Sequence, residues 1–148
     1  MKTLGVIGGL GPMATAHFME LITAMTDAPC DQAHLPMLVY SAPYIPDRTA
    51  HILDSSKDDP TPAMEAVGRT LVSAGAEVLT VPCITAHHFL PRLAEALSVP
   101  FVNGVEQTVL HLKAHGIEKV GIMATDGTLR SRLFHEALEK EGLCPVVP

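Results

Sequence analysis

Short apolar runs alternate along the whole chain with longer segments whose apolar residues recur in steps of three and four. This alternation restricts the fold more than any other feature of the sequence. The short runs read as buried strands at Leu4 to Ile7, Met37 to Tyr40, Val78 to Val81, Phe101 to Asn103, Val120 to Met123 and Cys144 to Val147. The stepped segments read as helices from Pro12 to Met25, Pro62 to Ser73, Ala86 to Leu97, Val105 to His115 and Leu129 to Lys140. Thr61 before Pro62 reads as a helix cap, Gly75, Gly116 and Gly142 suit helix ends, and Pro91 delays or kinks the third helix. Such a chain packs as an α/β fold, a parallel sheet flanked by helices on both faces. Ligands bind such sheets beyond the carboxyl ends of the strands.

The 148 residues suffice for one domain and part of a second. A first domain over residues 1–104 and a partial second over residues 105–148 are expected. Cys144-Pro145-Val146-Val147-Pro148 opens a strand as the sequence stops, so the second domain reads as incomplete. With 47% hydrophobic and 18% charged residues the chain can fill a core. Its net charge of −6 with scattered Lys and Arg gives no basic stripe, which argues against nucleic acid as a partner. No apolar segment approaches bilayer length, and the apolar start is broken early by Gly8, Gly9, Gly11 and Pro12, unlike a signal peptide. Cys30, Cys83 and Cys144 form neither a metal-type pair nor an even-numbered framework, so a reducing, cytoplasmic setting is expected.

The run Val81-Pro82-Cys83-Ile84-Thr85-Ala86-His87-His88 places a cysteine where a buried strand hands over to a helix. Free N–H groups at a helix start favour a thiolate, which is a base or nucleophile. Thr85 adds a hydroxyl, and His87 and His88 offer charge or proton relay. A small buried hydrophobe is the other reading of Cys83, and a packing residue the other reading of each histidine. Gly8-Gly9-Leu10-Gly11-Pro12-Met13-Ala14 follows the first strand with a spacing that lets an anion approach a helix start. Ser41-Ala42-Pro43 after the second strand lacks the acidic residue of a dinucleotide site, which leaves a small carboxylate or phosphate.

The long connection from Ser41 to Pro60 is of the kind that is either functional or disordered. It contains Arg48, which either grips a carboxylate or pairs with Asp47 or Asp54 at the surface. Thr125-Asp126-Gly127-Thr128 is a turn that presents hydroxyls to an anion, or a simple turn with Thr128 as a helix cap. Cys83, His87 and His88, or His111 and His115, supply too few local ligands for zinc, so no metal is expected.

The order of Gly8-Gly9-Leu10-Gly11-Pro12, Pro46-Asp47-Arg48-Thr49-Ala50, Pro82-Cys83-Ile84-Thr85-Ala86-His87 and Ala124-Thr125-Asp126-Gly127-Thr128 resembles the aspartate racemase family, within the aspartate/glutamate racemase superfamily. The resemblance runs over the whole chain. It implies two similar α/β domains with the site between them, and amino-acid racemisation by two cysteine acid/base groups without pyridoxal phosphate or metal. Cys83 matches the first of those cysteines. Arg48 would hold a substrate carboxylate, and Gly11, Pro12, Ile84, Thr85, Thr125 and Thr128 would line the substrate. The family's second cysteine comes later, followed by threonine and glutamate, and Cys144 in Leu143-Cys144-Pro145 does not match it. Ile84 stands where the family carries asparagine, and an isoleucine side chain has no donor for a carboxylate. A small amino-acid or dicarboxylate substrate and a homodimer are expected. Relatives such as maleate isomerases or decarboxylases, and a non-catalytic dicarboxylate binder, are the rival functions.

Overall fold

Strand β1 (Leu4–Gly8) is buried along its whole length and forms the centre of a three-stranded sheet, in a computed structural model that describes residues 1–147. Strand β2 (Met37–Ser41) and strand β3 (Val78–Thr80) run parallel to it on either side, with Leu4 opposite both Met37 and Val78. A second sheet pairs β4 (Lys119–Gly121) in parallel with β5 (Cys144–Val146). The helices are α1 (Pro12–Met25), α2 (Arg48–Leu53), α3 (Thr61–Ser73), α4 (Leu90–Ala96), α5 (Gly104–Ala114), α6 (Asp126–Arg130) and α7 (Leu133–Lys140). Each sheet has its own apolar cluster. Ile7, Met64, Leu79 and Leu93 sit at the centre of the first, and Val109, Ile122, Leu138 and Leu143 form the second. Pro148, the last residue of the expected second domain, lies outside the described residues.

Several expectations from the sequence change. The strand expected over Phe101 to Asn103 reduces to one bridge between Leu79 and Phe101. Asn103 leaves the sheet because its side chain accepts the Val105 and Glu106 N–H groups and starts α5. The connection after Ser41 is not structureless, since the Asp47 carboxylate accepts the Ala50 N–H at 2.7 Å and caps α2. The helix expected from Ala86 to Leu97 splits into a 3-10 segment, Ile84–Phe89, followed by α4. Pro91 lies in the first turn of α4, where its missing N–H costs least. The helix expected from Leu129 to Lys140 is two helices, because Arg132 adopts a left-handed backbone (φ 57°) between α6 and α7.

Helix α1 has the expected ends but packs thinly. Only Thr15 is buried, and Met13 and Met25 are 81% and 80% exposed. Its start is fixed by the Thr15 hydroxyl, which accepts the Gly9 N–H at 2.8 Å and donates to the Gly11 carbonyl at 3.1 Å.

The start of α3 carries a charge that gives stability a pH dependence. Thr61 is its first helical residue and not its cap. The Asp59 carboxylate accepts the Thr61 N–H at 2.8 Å and the Arg92 guanidinium at 2.9 Å. Burial is the largest single influence on Asp59 and pushes its pKa up. The hydrogen bonds from Thr61 and the charge of Arg92 together outweigh it and bring the value to about 2. A depressed carboxyl stabilises the fold above its unfolded value of 3.8, and that contribution is lost as pH falls toward about 2. Acid denaturation is therefore expected to show a stability loss across this window that Asp59→Asn reduces, as read by denaturant titration at stepped pH.

Candidate functional site

Because β1, β2 and β3 are parallel, the segments that follow them emerge at one edge of the sheet. The Gly8–Pro12 loop follows β1, the segment leading to Arg48 follows β2, and Cys83 follows β3. Gly9 (φ +90°) lies flat against Ala42, which holds the first two of these segments together. Gly11 and Pro12 are exposed at the start of α1, and Gly11 has open space around it.

Cys83 is half-buried and unpaired, at the residue before the 3-10 segment. Its N–H donates to the Val81 carbonyl at 2.8 Å, and its own carbonyl accepts the Ala86 N–H at 3.0 Å. The element after it is thus a short 3-10 turn, in place of the long α-helix the sequence predicts. Ile84 is 38% exposed beside it, an apolar side chain on the rim of a polar site.

Thr85, Thr125 and Thr128 meet through their hydroxyls. Thr85 Oγ1 is 2.8 Å from Thr128 Oγ1 and 3.1 Å from Thr125 Oγ1, and the last two are 3.2 Å apart. Three hydroxyls carry three protons, so a closed ring consumes every donor and leaves only lone pairs facing outward. A carboxylate can be bound here once a hydroxyl turns its proton from its neighbour to the ligand. Thr125 caps α6 by accepting the Thr128 N–H, so the cap is Thr125 and not Thr128. Packing of α6 against α2 brings this ring toward the arginine segment. Gly127 makes that approach possible, because a Cβ there would lie 2.9 Å from Thr49 Cα.

Arg48, at the start of α2, donates from Nη1 to the carbonyls of Ile45 (3.0 Å) and Pro46 (2.8 Å), while its buried Nε has no partner among the described residues. The surface pairing with Asp47 or Asp54 does not form; Asp54 instead lies 4.0 Å from Lys57, and among the described residues no carboxylate pairs with Arg48.

His87 is buried, with Nδ1 at 3.0 Å from the Cys83 carbonyl and Nε2 at 3.0 Å from the Gly104 N–H. Burial lowers its pKa against the upward pull of hydrogen bonding and of Glu106. Both ring nitrogens are engaged by backbone, which favours the packing reading of His87 over charge or proton relay. Burial likewise lowers the pKa of His88, whose ring meets Phe89 edge-on at 5.0 Å. Among the described residues no three His, Cys, Asp or Glu side chains converge as a metal site. The rings of His111 and His115, at the end of α5, lie 4.2 Å apart and tilted by 37° as a pair. A cavity of about 400 Å³ lies elsewhere, between α5 and α7, lined by Val105, Val109 and Ala137 among others, and none of Gly11, Pro12, Arg48, Cys83, Ile84, Thr85, Thr125 and Thr128 lines it.

A family model described as Asp/Glu/Hydantoin racemase matches residues 7–148. The chain belongs to this racemase family. A family relative from Bacillus subtilis (strain 168), a broad specificity amino-acid racemase, is 26% identical over 145 residues, spanning 94% of this chain and 61% of the relative. The aspartate racemase of Picrophilus torridus superposes over 100% of this chain and 63% of its own, with a TM-score of 0.88 and 31% identity. An aspartate racemase homologue from Pyrococcus horikoshii OT3 shares the fold, with a TM-score of 0.79 at 22% identity. The chain thus spans less than two thirds of the length of these racemases. The racemase-like parallel sheet with flanking helices is present in it, and among the described residues no helix is long and apolar enough to cross a membrane.

Two further features of the candidate site escape sequence reading. The close packing of Gly127 on Thr49 joins residues far apart in the chain and leaves only an isolated glycine as a signal. The His87 to Gly104 bond is equally non-local, although the histidine itself is conspicuous in sequence.

Proposed function

We propose that the chain acts as a cofactor-independent amino-acid racemase, aspartate-like, with Cys83 as one acid/base group. The observation that carries this reading is Cys83 at the carboxyl edge of the sheet, two residues before Thr85 of the hydroxyl ring, with α2, which begins at Arg48, packed against α6. Arg48 holds a substrate carboxylate, and Gly11, Pro12, Ile84, Thr85, Thr125 and Thr128 line the substrate. The Cys83 thiolate takes the α-proton, forming S–H as the C–H bond breaks. The electron pair moves into the carboxylate, where fixed donors stabilise the developing charge. A proton delivered to the opposite face of the α-carbon then gives the other enantiomer. Cys144 opens β5 and so lies at the amino edge of its sheet, which disfavours it as that second group. Similarity to the Bacillus and Picrophilus racemases supports the reaction class, and Ile84 favours a substrate tolerant of an apolar rim.

The test is incorporation of solvent deuterium at the α-carbon of L- and D-aspartate, followed by NMR, with protein expressed from its native coding region. Exchange of either isomer supports abstraction of the α-proton, and exchange of both with interconversion supports full racemisation. Carbon dioxide release, or binding with no exchange, overturns the reading in favour of a decarboxylase or a binder.

We further propose residues 1–104 and 105–148 as the first domain and part of the second, supported by the two separate apolar clusters. A cytoplasmic setting is supported by three free cysteines. A homodimer is supported by the exposed apolar surface of α1, with Met13, Leu21 and Met25 uncovered. Sedimentation is expected to show dimers or larger species, and Leu21→Glu with Met25→Glu to shift them toward monomer.

A further inference from the structure

His87 does not act on substrate, because both of its ring nitrogens are spent on backbone. A carbonyl only accepts and an amide only donates, so the Cys83 carbonyl at 3.0 Å requires the proton on Nδ1 and the Gly104 N–H at 3.0 Å requires a bare Nε2. The two contacts admit a single form of the ring, neutral and Nδ1-protonated. Gly104 opens α5, where first-turn N–H groups have no partner within the helix. Asn103 takes those of Val105 and Glu106, and His87 takes that of Gly104. A Cβ at Gly104 would lie 3.2 Å from Nε2, so glycine is the residue that lets the ring come this close. One buried side chain thereby fastens the backbone of Cys83, which follows β3 in the first sheet, to the helix that packs over the second apolar cluster through Val109.

We propose that His87 is a positioning residue that fixes the orientation of Cys83 by tying its carbonyl to the start of α5. Movement of α5 relative to the first sheet then moves the cysteine turn with it, so the placement of the two sheets and the aim of the thiol are one variable. The consequence for catalysis rests on the racemase reading. The tie itself is read without substrate, so failure of one is distinct from failure of the other.

The experiment measures iodoacetamide labelling of each cysteine by peptide mass spectrometry, with exposed Cys30 and Cys144 as internal references. His87→Phe, which keeps a ring and loses both bonds, is expected to speed Cys83 labelling about fivefold, the effect of losing one net hydrogen bond, with both references unchanged. His87→Asn, whose amide can still donate to the Cys83 carbonyl but no longer holds the Gly104 N–H, is expected to leave the rate high as well. His87→Gln, whose oxygen reaches toward Gly104 instead, is expected to leave it high. A Cys83 rate in His87→Phe within about twofold of the unaltered protein overturns the proposal. The unaltered protein supplies a test that needs no variant. Nitrogen-15 NMR of the ring is expected to show the Nδ1-protonated neutral tautomer at pH 7, and an Nε2-protonated or cationic ring overturns the proposal equally.

Discussion

Replacing Cys83 by serine is expected to lower α-hydrogen exchange of aspartate by about 10²- to 10⁴-fold, the usual contribution of a positioned acid or base. The substitution nearly preserves volume in a half-buried place against the first apolar cluster, so the melting temperature is expected to stay close to that of the unaltered protein. Serine keeps a hydrogen-bonding group but replaces the thiol with a hydroxyl that is far harder to ionise, and the thiolate is the reactive form. A binding role for Cys83 predicts weaker aspartate binding, whereas a base role predicts near-normal binding with lost exchange. Isothermal titration of aspartate together with the exchange rate separates them. Unchanged exchange in Cys83→Ser removes the cysteine from the reaction.

Strands β1, β2 and β3 and helices α1, α3 and α5 are legible because their signals are local. Pro12 to Met25 is helical at both expected ends, and β1, β2 and β3 lie within a residue or so of the apolar runs. The elements that escaped are those decided by a single cap or by a distant partner. Helix α2 is only six residues long, too short to show a period, and depends on one aspartate, Asp47. The break at Arg132 has no glycine to announce it. Splitting of the segment after Cys83 follows from Pro91, which sequence reading flagged as a kink, but not that the preceding turn would be 3-10.

The candidate site was legible to the same extent. Parallel strands force the segments after β1, β2 and β3 to one edge, so topology alone gathers the glycine loop, the arginine segment and Cys83. The contacts that set their orientation come from side chains remote in sequence. Thr85 reaches Thr128 across 43 positions, and His87 reaches Gly104 across 17. No periodicity encodes such pairs. This is why the threonines can be singled out as hydroxyls near an anion without their closed ring, and why the charge and packing readings of His87 both stay open in the sequence.

Gly9→Ala is expected to be the most damaging single methyl addition at this edge. Gly9 has φ +90°, where an L side chain is strained, and its Cβ would run into the backbone nitrogen of Ala42, with Ala42 C at 2.6 Å and Pro43 N at 2.8 Å. Backbone cannot rotate aside as a side chain can. Ala42 is fully buried, and its N–H donates to the Gly8 carbonyl at 3.0 Å, just beyond the paired ends of β1 and β2. Relief of the clash therefore requires the end of β2 to move away from β1, breaking that bond and shifting the path to Arg48. Gly75→Ala is the control. Gly75 has φ +104° but nothing within 4 Å of its Cβ, so it carries the conformational strain without the collision. Strain alone is expected to cost about 1 kcal/mol at Gly75, against about 3 kcal/mol or more at Gly9. Urea denaturation at matched slopes measures both, and the difference isolates the collision with β2. Equal losses in the two variants would mean that the Ala42 segment yields freely, and the glycine loop and arginine segment would then not be rigidly joined.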